Sequence, residues 1–329
     1  MKNFWEKQLE QWKTLVFLAP MDWYTDSAYR QVVKKIAPNV ICVSEFFSAD
    51  WLVHSKFLAD NVLPHEKKED PLIIQIFWKN IENFEKSAKI IEQKKYNIAW
   101  IDVNMWCPAK KVVKSWHGSW LIINEEIAFK IVEKLSKITK LPISVKTRLS
   151  YDWNQNLIKF AKWLEKSWAN LITIHGRTTL QAYSWIVNLE PIYELKKHLS
   201  IPIIVNGDIK NYDDGIKKVK NLDWFMIGRA SFWNPWCFLP WNYKPTLKEI
   251  LEIMKYHASK LVETKWEKKW SLEIRKHLVL YLKSFPGVKA YRKKLVTTEN
   301  LKNTLSVIDE IRNDFKNNLD KKPGLGEII

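Results

Sequence analysis

The chain predicts an α/β fold, a TIM (β/α)8 barrel followed by a small C-terminal helical domain, and three observations carry that expectation. Eight short runs rich in β-branched residues alternate with amphipathic stretches between residues 14 and 227. Each run ends in polar or ionisable residues, as barrel strands do where they meet an active site. After Pro240 the alternation stops and long Lys/Glu/Leu-rich segments follow.

In order, the first run, 14–18, leads into Pro20-Met21, and the second, 40–43, into Ser44-Glu45. The third, 72–77, carries Gln75, and the fourth, 98–103, runs on to Asn104 and Pro108. Lys146 and Arg148 close the fifth, 143–146, and His175-Gly176-Arg177 the sixth, 171–174. Asn206-Gly207-Asp208 follows the seventh, 201–205, and Gly228-Arg229 the eighth, 224–227. The stretch 125–140 shows what lies between them, with Ile127, Ile131, Val132, Leu135 and Ile138 at the spacing of one buried helix face. A doubly wound open sheet is the alternative, but no run is followed by GxGxxG, even with Trp read as Gly. A boundary near 245 divides the chain into 1–245, the barrel, and 246–329, a helical bundle over 247–319 broken at Ser284-Phe285-Pro286-Gly287.

Composition narrows the setting. Three scattered cysteines, Cys42, Cys107 and Cys237, argue against a disulfide framework and for a reducing, cytoplasmic compartment. No cysteine and histidine spacing suits a metal, and no apolar run approaches the ~18 residues of a membrane span. A monomer is the default expectation. The net charge of +17 points to a polyanionic partner. Residues 246–329 hold 18 Lys/Arg against 11 Asp/Glu, about twice the charge density of the rest.

Nineteen tryptophans stand against eight glycines. Trp106, Trp116, Trp185 and Trp233 occupy turn-like contexts where positive φ or close backbone approach favours glycine and an indole obstructs. Reading about seventeen of the nineteen as glycine brings the total to roughly 25, near the ~7% usual in soluble proteins. The pattern therefore predicts that UGA codons meaning glycine have been written as tryptophan, in a coding sequence whose AT bias also explains 46 lysines among 53 basic residues.

Loops after the seventh and eighth strands are the usual phosphate site of such barrels. Asn206, Gly207, Asp208, Gly228 and Arg229 suit that role and suggest a phosphorylated cofactor. Lys146 and His175 could then face a ring that gains negative charge on reduction, as a flavin does. Cys107 is a candidate proton donor or nucleophile, since an unperturbed thiol of pKa ~8.5 is mostly protonated at neutral pH. Taken singly, each of these residues could equally be a satisfied structural group.

The motifs together resemble those of the tRNA-dihydrouridine synthases: Leu18-Ala19-Pro20-Met21 with Thr25-Asp26, Gln75-Ile76-Phe77, and Asp102-Val103-Asn104-Met105-Trp106-Cys107-Pro108. Val145-Lys146-Thr147-Arg148, His175-Gly176-Arg177-Thr178, Asn206-Gly207-Asp208-Ile209 and Met226-Ile227-Gly228-Arg229-Ala230 extend the resemblance along nearly the whole chain. Arg275-Lys276-His277 and Tyr281 to Gly287 are similar to the helical domain of the bacterial B-type branch. Departures are mostly Trp for the family's Gly, at 23, 78, 100, 106, 116, 168, 185, 224 and 233, whereas Trp236 matches a family tryptophan; His117 and Ser150 also differ.

The resemblance implies FMN-dependent reduction of the C5–C6 bond of uridine in tRNA, with NADPH as reductant. It assigns FMN to Pro20, Met21, Asp22, Gln75, Lys146, His175, Asn206, Gly207, Asp208, Gly228 and Arg229. Cys107 would protonate C5, and Asn104 and Arg177 would hold the flipped base. The basic run from Arg275 through Lys276 to Arg292, Lys293 and Lys294, with Tyr281, Phe285 and Tyr291 interleaved, would grip the RNA. Two alternatives stand beside this reading: a flavin barrel acting on a small metabolite, such as a dihydroorotate dehydrogenase, and a non-catalytic RNA-binding relative.

Overall fold

The computed structural model describes residues 14–61, 66–78, 80–93, 98–105, 120–152, 156–265, 267–283, 285 and 287–322. Eight parallel strands close in sequence order into a barrel, with β1 paired to both β2 and β8. They are β1 Val16–Leu18, β2 Ile41–Ser48, β3 Leu72–Phe77, β4 Ile98–Met105, β5 Ile143–Arg148, β6 Leu171–His175, β7 Ile203–Asn206 and β8 Trp224–Ile227. Between them run α1 Ser27–Ile36, α2 Ala49–His54, α3 Lys56–Asn61, α4 Ile81–Gln93, α5 Trp120–Ile123, α6 Glu125–Ile138, α7 Leu157–Lys166, α8 Glu190–Leu195 and α9 Tyr212–Val219.

All eight strands stand where the alternation predicts them. Several run further than their apolar cores, β2 to Ser48 and β5 to Arg148, because backbone pairing continues through polar residues. Asn104 pairs with Lys146 and Arg148 with His175, so the ladder itself carries the polar tips.

Alternation along each strand divides the barrel interior into layers. Phe17, Ile73, Trp100, Leu171, Ile204 and Trp224 belong to an apolar plug at the lower end. One alternate position further up, the same strand faces carry Gln75, Asp102, Ser144 and Asn206. Trp100 and Trp224 are buried strand residues whose rings lie 6.3 and 5.9 Å from that of Phe17. A turn conformation therefore does not account for a glycine-like context at these two positions, where both indoles pack inside the closed barrel.

Among the described residues five other tryptophans sit in the left-handed region: Trp23 (φ 66), Trp168 (71), Trp185 (69), Trp233 (57) and Trp241 (59). Such a backbone costs an L-residue roughly 1–2 kcal/mol, and glycine far less. Four of these indoles are exposed, Trp241 at 89%. Trp236, by contrast, is buried and meets Tyr281 edge-on.

Beyond the barrel come α10 Leu247–Thr264, α11 Glu267–Tyr281, α12 Lys289–Thr297 and α13 Leu301–Asp314. Thr246 caps α10 through a reciprocal box with Glu249, which gives the helix a sharp start. α11 ends at Tyr281 and α12 begins at Lys289, on either side of the expected break. These helices share an apolar core with Ala28 and Val32 of α1. Their joint with the barrel is ionic as well: Lys265 Nζ lies 2.6 Å from Asp26 Oδ2 and also contacts Glu273. Asp26 in turn accepts the Tyr29 N–H and caps α1.

Burial alone would raise the Asp26 carboxyl, but the Lys265 ammonium outweighs it and brings the group from 3.8 to about 2. A carboxylate lowered by folding stabilises fully above its unfolded value and loses that contribution as pH falls toward the folded value. About 2 kcal/mol of stability is therefore expected to disappear between about pH 4 and pH 2. Urea unfolding checks this: Lys265→Met should cost most at neutral pH and little near pH 2, and a pH-independent difference would count against the joint.

Candidate active site

In the barrel interior, polar side chains of β3, β4, β5 and β7 form two hydrogen-bonded groups side by side. Register sets Gln75 opposite Asp102, Asp102 opposite Ser144, and Asn104 opposite Lys146. Gln75 donates from Nε2 to Asp102 Oδ2 at 2.6 Å, and the Ser144 hydroxyl donates to Asp102 Oδ1 at 2.5 Å. Asn104 donates from Nδ2 to Gln75 Oε1 at 2.9 Å. Lys146 Nζ donates to Asn206 Oδ1 at 3.1 Å, and Asn206 Nδ2 to the Met226 carbonyl at 2.8 Å. All six side chains are buried.

Burial dominates the electrostatics. It pushes the Asp102 carboxyl up to about 6 against the hydrogen bonds of Ser144 and Gln75, and brings Lys146 down to about 7 against the charge of Asp102. His175 is held well below its ordinary value by burial and by the cations Lys146, Arg148, Arg177 and Arg229, so its ring is neutral at pH 7. A mouth with this excess of positive charge is built to receive an anion.

The loops after β6, β7 and β8 converge beside it. Gly207 holds φ 126, and Asp208 follows at φ 44. The Asp208 carboxylate bridges Arg177 Nη2 at 2.5 Å and Arg229 Nη2 at 2.6 Å. The Arg229 guanidinium stacks on Tyr183, 4.6 Å from the ring centroid. At Gly228 a Cβ would make only ordinary contacts, 3.6 Å from Ala19 Cβ and 3.8 Å from Met21 Sδ, whereas at Gly207 it would stand 3.0 Å from Val187 Cγ1. The β1 loop is fastened by Thr25, whose Oγ1 accepts the Met21 N–H at 2.9 Å and donates to the Met21 carbonyl, and by Glu45, which accepts the Trp23 N–H at 2.6 Å. The glycine-bearing loops after β7 and β8, a buried lysine and amide side chains form a donor set suited to a phosphorylated, electron-accepting ring.

The sequence model described as "Dihydrouridine synthase (Dus)" matches residues 17–319, spanning both the barrel and the helices beyond it. The chain belongs to the dihydrouridine synthase family. Forming dihydrouridine adds two hydrogens across a double bond, so the protein is an oxidoreductase. Among its relatives, the "Probable tRNA-dihydrouridine synthase 1" of Synechocystis is 30% identical over 308 residues, covering 90% of this chain and 85% of that one. The "tRNA-dihydrouridine synthase B" of Pasteurella multocida is 30% identical over 294 residues, covering 86% and 88%. The "Probable tRNA-dihydrouridine synthase" of Rickettsia prowazekii is 28% identical over 317 residues, covering 93% and 95%.

Within this dihydrouridine synthase the strand tips bring Gln75, Asn104, Lys146 and Asn206 together, with Gly207, Asp208, Gly228 and Arg229 alongside. Pro20 is buried and Asp22 exposed in the β1 loop. Cys107 lies outside the described residues, as does the side chain of Lys276. Three arginines differ from their expected roles. Arg177 braces the β7 loop through Asp208 and the carbonyls of Ser184 and Trp185, with only its buried Nη1 unpaired among the described residues. Arg229 reaches Asp208, not an open anion site. Arg275 donates from Nε and Nη2 to the Thr298 carbonyl, tying α11 to the end of α12.

The interleaved aromatics also turn inward. Tyr281 is buried against His257, and Tyr291 and Phe285 pack on the helical core. Any grip on RNA from this segment is therefore ionic, through residues such as Lys293 and Lys294, which are exposed. Asp102, Ser144, Tyr183 and Glu45 were not singled out as site residues from sequence. For Asp102 a signal existed: it lies two residues before Asn104, hence on the same face of β4.

No helix among the described residues is long and apolar enough to cross a membrane.

Proposed function

We propose that this dihydrouridine synthase reduces the C5–C6 bond of uridine in tRNA, with FMN bound in the barrel mouth and NADPH as the ultimate reductant. The observation that carries the reading is buried Lys146, with neutral His175 beside it, at the mouth of a barrel whose sequence matches the family from 17 to 319. Bound there, FMN would supply a hydride to C6 of the base. Lys146 offers its ammonium to the electron-rich edge of the ring, and Gln75, Pro20, Met21 and the backbone of Asp22 border it. Asn206, Gly207 and Gly228 hold the phosphate through backbone N–H groups, while Asp208, Arg177 and Arg229 brace that loop.

Asn104 meets the flipped uracil. Cys107 donates the proton to C5 and regains one from solvent, so NADPH, one proton and uridine give NADP+ and dihydrouridine. Residues 1–245 carry this chemistry and 246–329 hold the RNA, with a monomer in the cytoplasm as the working form.

Cys107→Ala is expected to keep FMN and lose at least a hundredfold in dihydrouridine formation on cognate tRNA, the scale of a missing general acid. Protein that binds no FMN, or a small pyrimidine reduced as well as tRNA, would refute the reading. Neutralising Arg292, Lys293 and Lys294 together should flatten the log–log salt dependence of tRNA binding by about 2, since each phosphate contact contributes roughly 0.9 and Lys294 is already paired with Glu310. An unchanged slope would assign the RNA to another face.

A further inference from the structure

We infer that Asp102, seated on Ser144, is a positioning residue for the site: one buried carboxylate that dictates the amide orientation of Gln75, through it that of Asn104, and that serves as counter-charge to Lys146. The inference rests on the flavin reading proposed above, and names the group that organises the residues flanking the cofactor and the base.

The argument follows from hydrogen-bond polarity. An ionised carboxylate can only accept. Gln75 must therefore turn its nitrogen toward Asp102, at 2.6 Å, which leaves Oε1 facing Asn104. Asn104 must in turn present its own nitrogen, at 2.9 Å. On the other side Ser144 has to donate, at 2.5 Å, so both carboxylate oxygens are engaged. A chain of amides and hydroxyls alone could run in either direction; one acceptor-only member makes it run one way.

Burying a charge is costly unless it is paired and hydrogen-bonded, and Asp102 is 4% exposed. What offsets that cost is the neighbouring Lys146, 1% exposed, whose charged form Asp102 favours. The register explains why the arrangement is rigid: Gln75, Asp102 and Ser144 lie side by side across β3, β4 and β5. No loop motion can separate them. Positively charged Lys146 favours a ring that has gained electrons over one that has not, so the carboxylate below it acts on the balance between the two cofactor states.

Asp102→Asn keeps the shape, removes the charge and lets the chain of amides run both ways. Apoprotein reconstituted with FMN is expected to bind the oxidised cofactor within threefold of wild type, but the reduced cofactor about tenfold more weakly. The visible absorption bands of bound FMN should shift as Gln75 loses its single orientation. Ser144→Ala should lower the same reduced-to-oxidised affinity ratio about threefold and Ser144→Thr should restore it, a rescue that loss of packing alone would not produce. That pair also carries the test if Asp102→Asn fails to fold. An unchanged ratio and spectrum in Asp102→Asn, or in Ser144→Ala where only that pair folds, overturns this inference while leaving the flavin reading intact. Wild-type protein that takes up no FMN overturns both.

Discussion

Glycine at positions 23, 168, 185 and 241 is expected to raise the unfolding free energy of the written sequence by about 4 kcal/mol, roughly 1 kcal/mol at each site once the greater chain entropy of glycine is set against the left-handed backbone. All four indoles are more than half exposed, so their removal sacrifices little buried area. The sites lie in separate turns, and their effects should add. Trp233 is the internal control. It too has φ 57, but its ring lies 5.3 Å from Phe232 and 6.1 Å from Tyr24, so relief of the backbone and loss of packing should nearly cancel. Urea unfolding of the fourfold variant beside Trp233→Gly measures both; a fourfold variant no more stable than the parent would contradict the reading. Peptide mass spectrometry of the protein from its own cells should find glycine at these positions and at 106 and 116.

Replacement of Lys146 by Met is expected to weaken binding of reduced, anionic FMN about a hundredfold at neutral pH, the loss of a buried charge-assisted hydrogen bond to an anionic group, and to affect oxidised FMN far less. It should also abolish a pH dependence. Burial lowers this lysine to about 7, so above that pH the apoprotein holds it neutral and must take up a proton when an anion binds. Wild-type affinity should thus fall by up to about tenfold per pH unit between about pH 7 and 9, and the variant should stay flat.

Stability moves in the opposite direction. Between about 7 and 10.5 the unfolded chain holds the proton that the folded apoprotein has released, so the apoprotein gains stability as pH rises through that window. Lys146→Met, which cannot titrate and leaves Asp102 without its counter-charge, should lack this rise in stability while binding cofactor worse. Anaerobic protein-fluorescence titration with reduced FMN, paired with urea unfolding across this pH range, separates the two effects. A variant whose stability and affinity keep the wild-type pH dependence would mean that Lys146 merely packs.

The eight strands, their order and the polar residue at each tip were readable from the chain, because they depend on local alternation and on β-branched runs bounded by turns. The break between α11 and α12 and the start of α10 were readable for the same reason. Gln75, Asn104, Lys146 and Asn206 could be named one by one, since each sits at the end of a strand that periodicity identifies. Turn tryptophans such as Trp185 and Trp233 also stood out, as their neighbours in sequence already demand a reversed backbone.

Which groups those side chains touch was decided only when the ring closed. Arg177 and Arg229 lie 52 residues apart in sequence and meet over Asp208, 2.5 and 2.6 Å away. Ser144 reaches Asp102 across 42 residues. Arg275 is absorbed by the Thr298 carbonyl, and Tyr281 faces the core although its charged neighbours suggested a surface. Trp100 and Trp224, placed among the glycine-like positions by motif, lie in the apolar plug. Local pattern determines a residue's face and its height in the barrel, because both follow from backbone geometry over a few positions. Its partner is set by chain closure and packing, which bring distant segments within hydrogen-bond range and leave no trace in the spacing of either one.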